Sequence, residues 1–409
     1  MDSSVPATPS APRAQPGFFQ QPRAVWAVFF ACIIAFMGLG LVDPILPAIA
    51  QGLHATQTQV TLLFTSYNAV MAVAMLITGA ISSRLGIKWT LIMGVVVIAL
   101  FSAAGGLSNN IWALVGLRGG WGLGNSLFVA TALAAIVSLS NSSPGRSVIF
   151  YEAAIGLGIS VGPLLGGWLG GISWRGPFLG VATLMVVAFT ALMVLMPSAS
   201  KLTSGTPKKM TSLGDPFRAL KHRPLVVFGV TAALYNFGFF SLLAYAPFVL
   251  GLKVHGLGFV FLGWGVFLAI TSVFMAPRLH ETMGTIKAMA LMLTLFALLL
   301  VVMGIWTHVQ WTMIGAVIVA GGVLGNNNTL ITTAVMNAAP VERSTASAAY
   351  SFLRFLGGAV APYTAGKLAS LFNPHIPFLV GSGFVLLSAA FILANYRHVQ
   401  HVDDHTSSH

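Results

Sequence analysis

Charge is what this sequence lacks. Only 7% of its 409 residues are Asp, Glu, Lys or Arg, against about a quarter in a soluble globular domain, so a water-soluble fold is excluded. Acids are the scarcest class, eight against twenty Lys and Arg. Cysteine is down to Cys32 alone, which excludes an intrachain disulfide and leaves the redox compartment unread. There is no Gly-rich phosphate loop closed by Lys-Ser/Thr and no His-Glu-x-x-His, so neither a nucleotide-driven motor nor a zinc hydrolase is expected. No cofactor, metal site or enzyme activity is expected. The tail carries His398, His401, His405 and His409 with Asp403 and Asp404, which reads as a solvated tail rather than a metal site.

What fills the space is apolar: 56% of the chain is hydrophobic. A membrane helix needs about 20 apolar residues. By that measure twelve runs stand out, at roughly 25–50, 58–82, 88–107, 111–138, 148–172, 176–196, 225–250, 257–279, 286–306, 309–336, 344–371 and 375–396. The expected fold is an all-α membrane protein of twelve transmembrane helices in two pseudo-symmetric six-helix bundles. Residues 1–24 are rich in Pro, Ser, Ala and Gln and read as a disordered N-terminus. Bundles are expected over 25–196 and 225–396, with a basic linker at 197–224 and a polar tail at 397–409.

The formal net charge of +12 does not indicate nucleic acid, because the basic residues are sorted by side. With the N-terminus in the cytoplasm, fifteen of the twenty Lys and Arg fall on that side, and only Arg175 and Lys253 fall in outer loops. This is the positive-inside asymmetry, and it predicts a multi-pass plasma (inner) membrane protein with both termini cytoplasmic. The first run ends Ala48-Ile49-Ala50 like a signal-peptidase site. It is too long for a signal h-region and eleven spans follow it, so cleavage is not expected.

Against this background Asp43 is conspicuous, near the far end of span one in Gly38-Leu39-Gly40-Leu41-Val42-Asp43-Pro44. An acid at the centre of a membrane helix costs about 2.5–3.5 kcal/mol on insertion scales, so it must line water, find a partner or hold a proton. Arg118 lies about seven residues into span four, and Asp43 about seven before the end of span one, so both sit roughly 10 Å below the same face. Such a pair could trade ion pairing for protonation as helices move, or be a static structural pair. Glu152 lies about four residues into span five, as a loop anchor or a second proton carrier.

The halves repeat weakly. Gly119-Gly120-Trp121-Gly122-Leu123-Gly124-Asn125 in span four is echoed by Gly321-Gly322-Val323-Leu324-Gly325-Asn326 in span ten, about 201 residues on. Gly162-Pro163 in span five is echoed by Ala361-Pro362 in span eleven, about 199 on. Two six-helix halves in parallel repeat, with a site at midplane between them, are a known transporter plan.

These motifs resemble those of the major facilitator superfamily, in its twelve-span drug:proton antiporter branch, over nearly all of 25–396. Gly38–Pro47 looks like the first-helix motif of that branch. Gly79-Ala80-Ile81-Ser82-Ser83-Arg84-Leu85-Gly86-Ile87-Lys88 is similar to the cytoplasmic loop motif, with Gly79, Arg84, Gly86 and Lys88 in place but Ser83 and Ile87 where an acid and a base are usual. Leu114 to Gly124 resembles the span-four motif whose arginine is implicated in proton transfer. Gly158, Gly162, Gly166 and Gly170 repeat every four residues in span five, and Gly162-Pro163-x-x-Gly166-Gly167 resembles the antiporter signature. The resemblance implies alternating access, with this glycine stripe as the rocking interface and Asp43, Arg118 and Glu152 as candidates for proton coupling.

Candidate substrate contacts are Asn125, Tyr235, Asn236, Phe239, Asn326, Asn327 and Arg354. Aromatic walls with few polar handles suit amphipathic molecules. Arg354, near midplane of span eleven, could counter an anionic group or simply bond a helix carbonyl. The expected function is proton-coupled efflux of small amphipathic compounds, by a monomer whose partners are substrate, protons and lipid. The alternatives are a proton symporter importing a metabolite, or a transporter-like sensor that moves no solute.

Overall fold

The computed structural model describes residues 21–141, 144–197, 212–338, 340–341 and 343–404. Most of the expected N-terminal disorder, the middle of the linker and the last five residues therefore lie outside the described residues, as does the Glu152 side chain. Among the described residues twelve long helices carry the fold: α1 (Arg23–Gly40), α2 (Gln57–Leu85), α3 (Ile87–Leu107), α4 (Ile111–Leu139), α5 (Pro144–Ile172), α6 (Gly176–Leu195), α7 (Arg223–Val249), α8 (Val254–Phe274), α9 (Thr285–Ile305), α10 (Gln310–Asn337), α11 (Arg343–Leu371) and α12 (Ile376–Ala394). Eleven are apolar enough to cross a membrane, α1 taken together with the short segments that follow it. The other, α11, is 29 residues long but diluted by Ser, Thr, Tyr, Arg354 and Lys367. Large apolar side chains stand out on the bundle surface, including Trp89, Trp112, Trp168 and Trp311 near helix ends, where indole rings suit the membrane interface.

Local signals set the boundaries. Thr56 opens α2 with a capping box: its Oγ1 accepts from Gln59 N at 3.2 Å, and its own N–H donates to Gln59 Oε1 at 2.8 Å. Asn110 opens α4 by accepting from Trp112 N at 2.8 Å. The α2–α3 turn rests on Gly86, at φ 79°, a left-handed value that favours glycine. Gly284, 198 residues further along, adopts φ 78° at the start of α9. Before it stands a short helix, Ala276–Met283, that extends α8 after a break at Met275-Ala276-Pro277. Together α8 and this piece reproduce the length of α2, so the loop motif has a repeat partner.

The helix packing repeats as well. In the first half α1 packs against α4, α5 and α6, α2 against α4, and α3 against α4 and α6. Adding six to every label gives the contacts of the second half. The halves meet along two seams, α2 with α11 and α5 with α8, which the same shift exchanges. Helices α2, α4, α5 and α11 have 29 residues each, or about 43 Å, more than the roughly 30 Å hydrocarbon layer.

Two expectations change. Span one is not one helix: α1 ends at Gly40, a 3-10 turn covers Asp43–Ile45, and a seven-residue helix runs Leu46–Gly52. Pro44 has no N–H to return to the Gly40 carbonyl, which removes a helical hydrogen bond at the break. The tail is also less solvated than expected, since Val399 and Val402 are buried and His401 reaches the Ala338 carbonyl at 3.3 Å.

Candidate functional site

The break in α1 makes the site. Asp43 sits in it fully buried, and neither carboxylate oxygen accepts a hydrogen bond. Its turn lies among α5, α7 and α8, where the first half meets the second. The neighbouring walls are the Pro163 ring and Gly40: a Cβ on Gly40 would lie 3.1 Å from the ring and 3.7 Å from the Asp43 carboxylate.

Arg118, from α4, approaches the same broken end and is itself buried. Its Nη2 donates to the Gly38 carbonyl at 2.9 Å, one of the acceptors left over where α1 stops. The guanidinium lies between two rings, 4.5 Å from the centre of Tyr67 and 4.2 Å from that of Trp121. Tyr67 is held in turn by the Asn125 amide, which donates to its hydroxyl. The expected pair therefore comes together without closing. Asp43 and Arg118 interact through space, yet the one ion pair within 4.0 Å among the described residues is Arg218–Asp215 near the start of α7. The arginine is occupied by a carbonyl and two aromatic faces.

The glycine stripe of α5 faces mainly α1. Carbon atoms added at Gly158 and Gly162 would each stand 2.6 Å from a carbonyl of α1, those of Ile33 and Met37, and Gly166 meets the Leu41 carbonyl. Gly158, Gly162 and Gly166 thus pack α5 onto α1 inside the first half, while Gly170 lies between Ile45 and Val254 of α8. The seam with α8 uses the adjacent face of α5. The Pro163 carbonyl approaches Gly258, Gly167 lies against the Gly258 backbone, and Gly265 lies against Ser160 of α5. Close backbone approach needs small residues on both sides, which α8 supplies as Gly258 and Gly265.

On the other side of the molecule Tyr235 of α7 joins Tyr350 and Arg354 of α11 within electrostatic reach. Tyr350 interacts with both Tyr235 and Arg354 through side-chain hydrogen bonding, and the guanidinium Nε closes none. Asn236 and Asn326 are turned back on their own helices, to the Ala232 carbonyl at 2.9 Å and the Gly322 carbonyl at 3.0 Å, leaving each Oδ1 unpartnered. Asn327 is buried with no hydrogen bond at either amide atom. Phe239 stacks on Trp264 of α8, centroids 5.9 Å apart. Of the loop motif, Lys88 donates to the Met196 carbonyl at 2.8 Å and so closes the end of α6, while Arg84 is exposed.

Sequence reasoning missed Asn68. It is fully buried on α2, and its Nδ2 donates 3.3 Å across the seam to the Gly358 carbonyl of α11. An amide next to Tyr67 in an otherwise apolar stretch was the available signal.

Comparison with known proteins agrees with this architecture. A solved structure titled as the human organic anion transporter MFSD10 (TETRAN) superposes with a TM-score of 0.68 at 18% identity, covering 90% of this chain and 99% of that one, which speaks to the fold alone. The family model of the Major Facilitator Superfamily matches residues 28–362 and 250–408. The chain belongs to that superfamily. Among relatives of this superfamily member, the multidrug efflux protein YfmO of Bacillus subtilis is 54% identical over 383 residues, covering 94% of this chain and 96% of that protein. The quinolone resistance protein NorA of Staphylococcus aureus is 23% identical over 391 residues, covering 92% and 97%.

Proposed function

We propose that this protein is a proton-driven antiporter that exports small amphipathic compounds by alternating access of its two halves. The observation that carries the reading is Asp43: a buried carboxylate with no hydrogen bond, in a helix break where the halves meet, beside an arginine held on a neighbouring carbonyl. A carboxylate so placed is stable either protonated or facing a cation, and a change in helix packing exchanges the two. Arg118 is the natural modulator, because leaving Gly38 would free it for Asp43. Export rather than import is supported by likeness to the Bacillus protein, which carries the name of a multidrug efflux protein.

The asymmetric placement of Lys and Arg supports an inner-membrane location with both termini in the cytoplasm. Bundles over 25–196 and 225–396 are the proposed moving bodies, with Gly167 and Pro163 on one of their seams. Asn125, Tyr235, Asn236, Phe239, Asn326, Asn327 and Arg354 are the proposed substrate contacts, and a site complete within one chain supports a monomer as the working unit.

The test uses proteoliposomes carrying an internal pH reporter. A transported compound should release protons in the wild type, whereas Asp43→Asn should lose proton-driven exchange and keep substrate counterflow down its own gradient. Proton coupling that survives Asp43→Asn unchanged would overturn the assignment.

A further inference from the structure

The two arginines inside the helix bundle, Arg118 buried and Arg354 half-buried, are treated differently by their surroundings. Arg118 has a carbonyl at 2.9 Å, an aromatic ring on either side and an aspartate in electrostatic range. Arg354 has two tyrosines and, 5.7 Å from its guanidinium carbon, the ring of Phe355. Among the described residues no carboxylate lies within 4.0 Å of it, and its enclosed Nε donates to nothing. The shortage is built into the chain. The long helices that pack against α11 are α2, α7, α10 and α12, and none of them contains a single Asp or Glu. A guanidinium stays charged at any physiological pH, so it cannot escape a poor environment by giving up its proton as a lysine or histidine can.

Its position is also telling. Tyr350, Arg354 and Gly358 follow one another at four-residue spacing, which places them along one face of α11. Gly358 receives the Asn68 amide from the opposite half, and Tyr235 reaches in from α7. The cation therefore stands on the seam between the halves, with the phenols of Tyr235 and Tyr350 beside it. Aromatic surface is close by, since Phe64 of α2 and Phe240 of α7 face each other across this seam at 6.4 Å. A planar guanidinium with flanking hydroxyl donors matches a carboxylate or sulfonate, and the rings match an apolar body.

From this we propose that the cargo is an organic anion, an aromatic or otherwise apolar molecule bearing one carboxylate or sulfonate that Arg354 neutralises, with Tyr235 and Tyr350 donating to the same group. The proposal rests on the efflux reading above and narrows it to one charge class. The counter-ion missing from the protein would then be supplied by the substrate. Exchange of an inward proton for an outward anion moves charge in one direction, so an inside-negative membrane potential should assist transport.

The experiment compares three fluorescent probes in wild-type proteoliposomes: 8-anilinonaphthalene-1-sulfonate, its neutral relative N-phenyl-1-naphthylamine, and cationic ethidium. The sulfonate should trigger proton release at a concentration at least about tenfold lower than the neutral probe, the scale of one hydrogen-bonded charge contact. Arg354→Gln should erase that preference and Arg354→Lys should restore part of it. Should Arg354→Gln fail to fold, the preference in the wild type decides, with Tyr350→Phe as the milder variant expected to reduce it. If the neutral probe or ethidium drives proton release while the sulfonate does not, or if Arg354→Gln weakens all probes equally, the anion assignment is wrong and the efflux reading survives. If no probe moves protons in folded protein, the efflux reading itself fails and takes this one with it.

Discussion

Replacing Gly162 by alanine tests whether the glycine stripe of α5 is a docking face for α1. The added carbon would stand 2.6 Å from the Met37 carbonyl oxygen and 3.2 Å from Met37 Cα, closer than side-chain carbons sit in real structures. Its neighbour is backbone, so no rotamer change can relieve the clash, and α1 must move away from α5. Overpacking of this kind costs about 1–3 kcal/mol. Mid-helix Gly to Ala at an unobstructed position instead gains about 0.8–1 kcal/mol from helix propensity. Gly383 on α12 provides that control, because nothing lies within 4 Å of its added carbon. Gly162→Ala should therefore melt below Gly383→Ala, with about 1–3 kcal/mol between them, because the propensity gain is common to both variants. Thermal unfolding of detergent-purified protein, followed by tryptophan fluorescence, reads the ordering directly. A Gly162→Ala protein as stable as Gly383→Ala would refute the packing argument.

Two further outcomes follow from single side chains. Asn68→Ala deletes the amide bond to the Gly358 carbonyl across the seam, worth about 0.5–1.5 kcal/mol, or roughly a two- to tenfold shift in the balance between seam-closed and seam-open forms. Spin labels on α2 and α11 should report a larger separated population, and an unchanged distance distribution would count against a latch there. Arg175→Ala removes bonds to the Gly106 carbonyl at 2.8 Å, the Ser108 carbonyl at 2.7 Å and Asn109 Oδ1 at 2.6 Å. It should lower thermal stability by about 1–3 kcal/mol without changing substrate preference, and a neutral effect would mean that the loop between α3 and α4 needs no such anchor.

Much of this architecture was legible in the chain because it is repetitive. Apolar length gave the spans, basic asymmetry suggested their direction, and the Gly-rich echoes between spans four and ten announced two halves. The same spacing, applied to Gly86, points to Gly284, whose backbone adopts the same conformation. Arg175 looked like an exception to the charge asymmetry, yet it spends its charge on three acceptors at a loop junction. What stayed hidden has one cause. A backbone carbonyl is present at every residue and leaves no mark in the sequence, so neither the Gly38 acceptor of Arg118 nor the α1 carbonyls facing Gly158, Gly162 and Gly166 could be foreseen. A four-residue glycine stripe declares a close helix neighbour but not which helix it is.

With its glycine face on α1 and its adjacent face on α8, helix α5 ties the broken helix that carries Asp43 to the seam with the second half. Gly40 lies between the Pro163 ring and the Asp43 carboxylate, and the Pro163 carbonyl approaches Gly258 across that seam. Movement of α8 against α5 is thus applied within one residue of the acid's wall. On the proposed mechanism, that coupling lets a rocking half change what surrounds the carboxylate, because Gly38 and Asp43 sit on either side of the break as competing acceptors for one guanidinium. Shifting the break by a fraction of a helical turn changes which of them Arg118 faces, and the acceptor left behind, when it is the carboxylate, must take a proton.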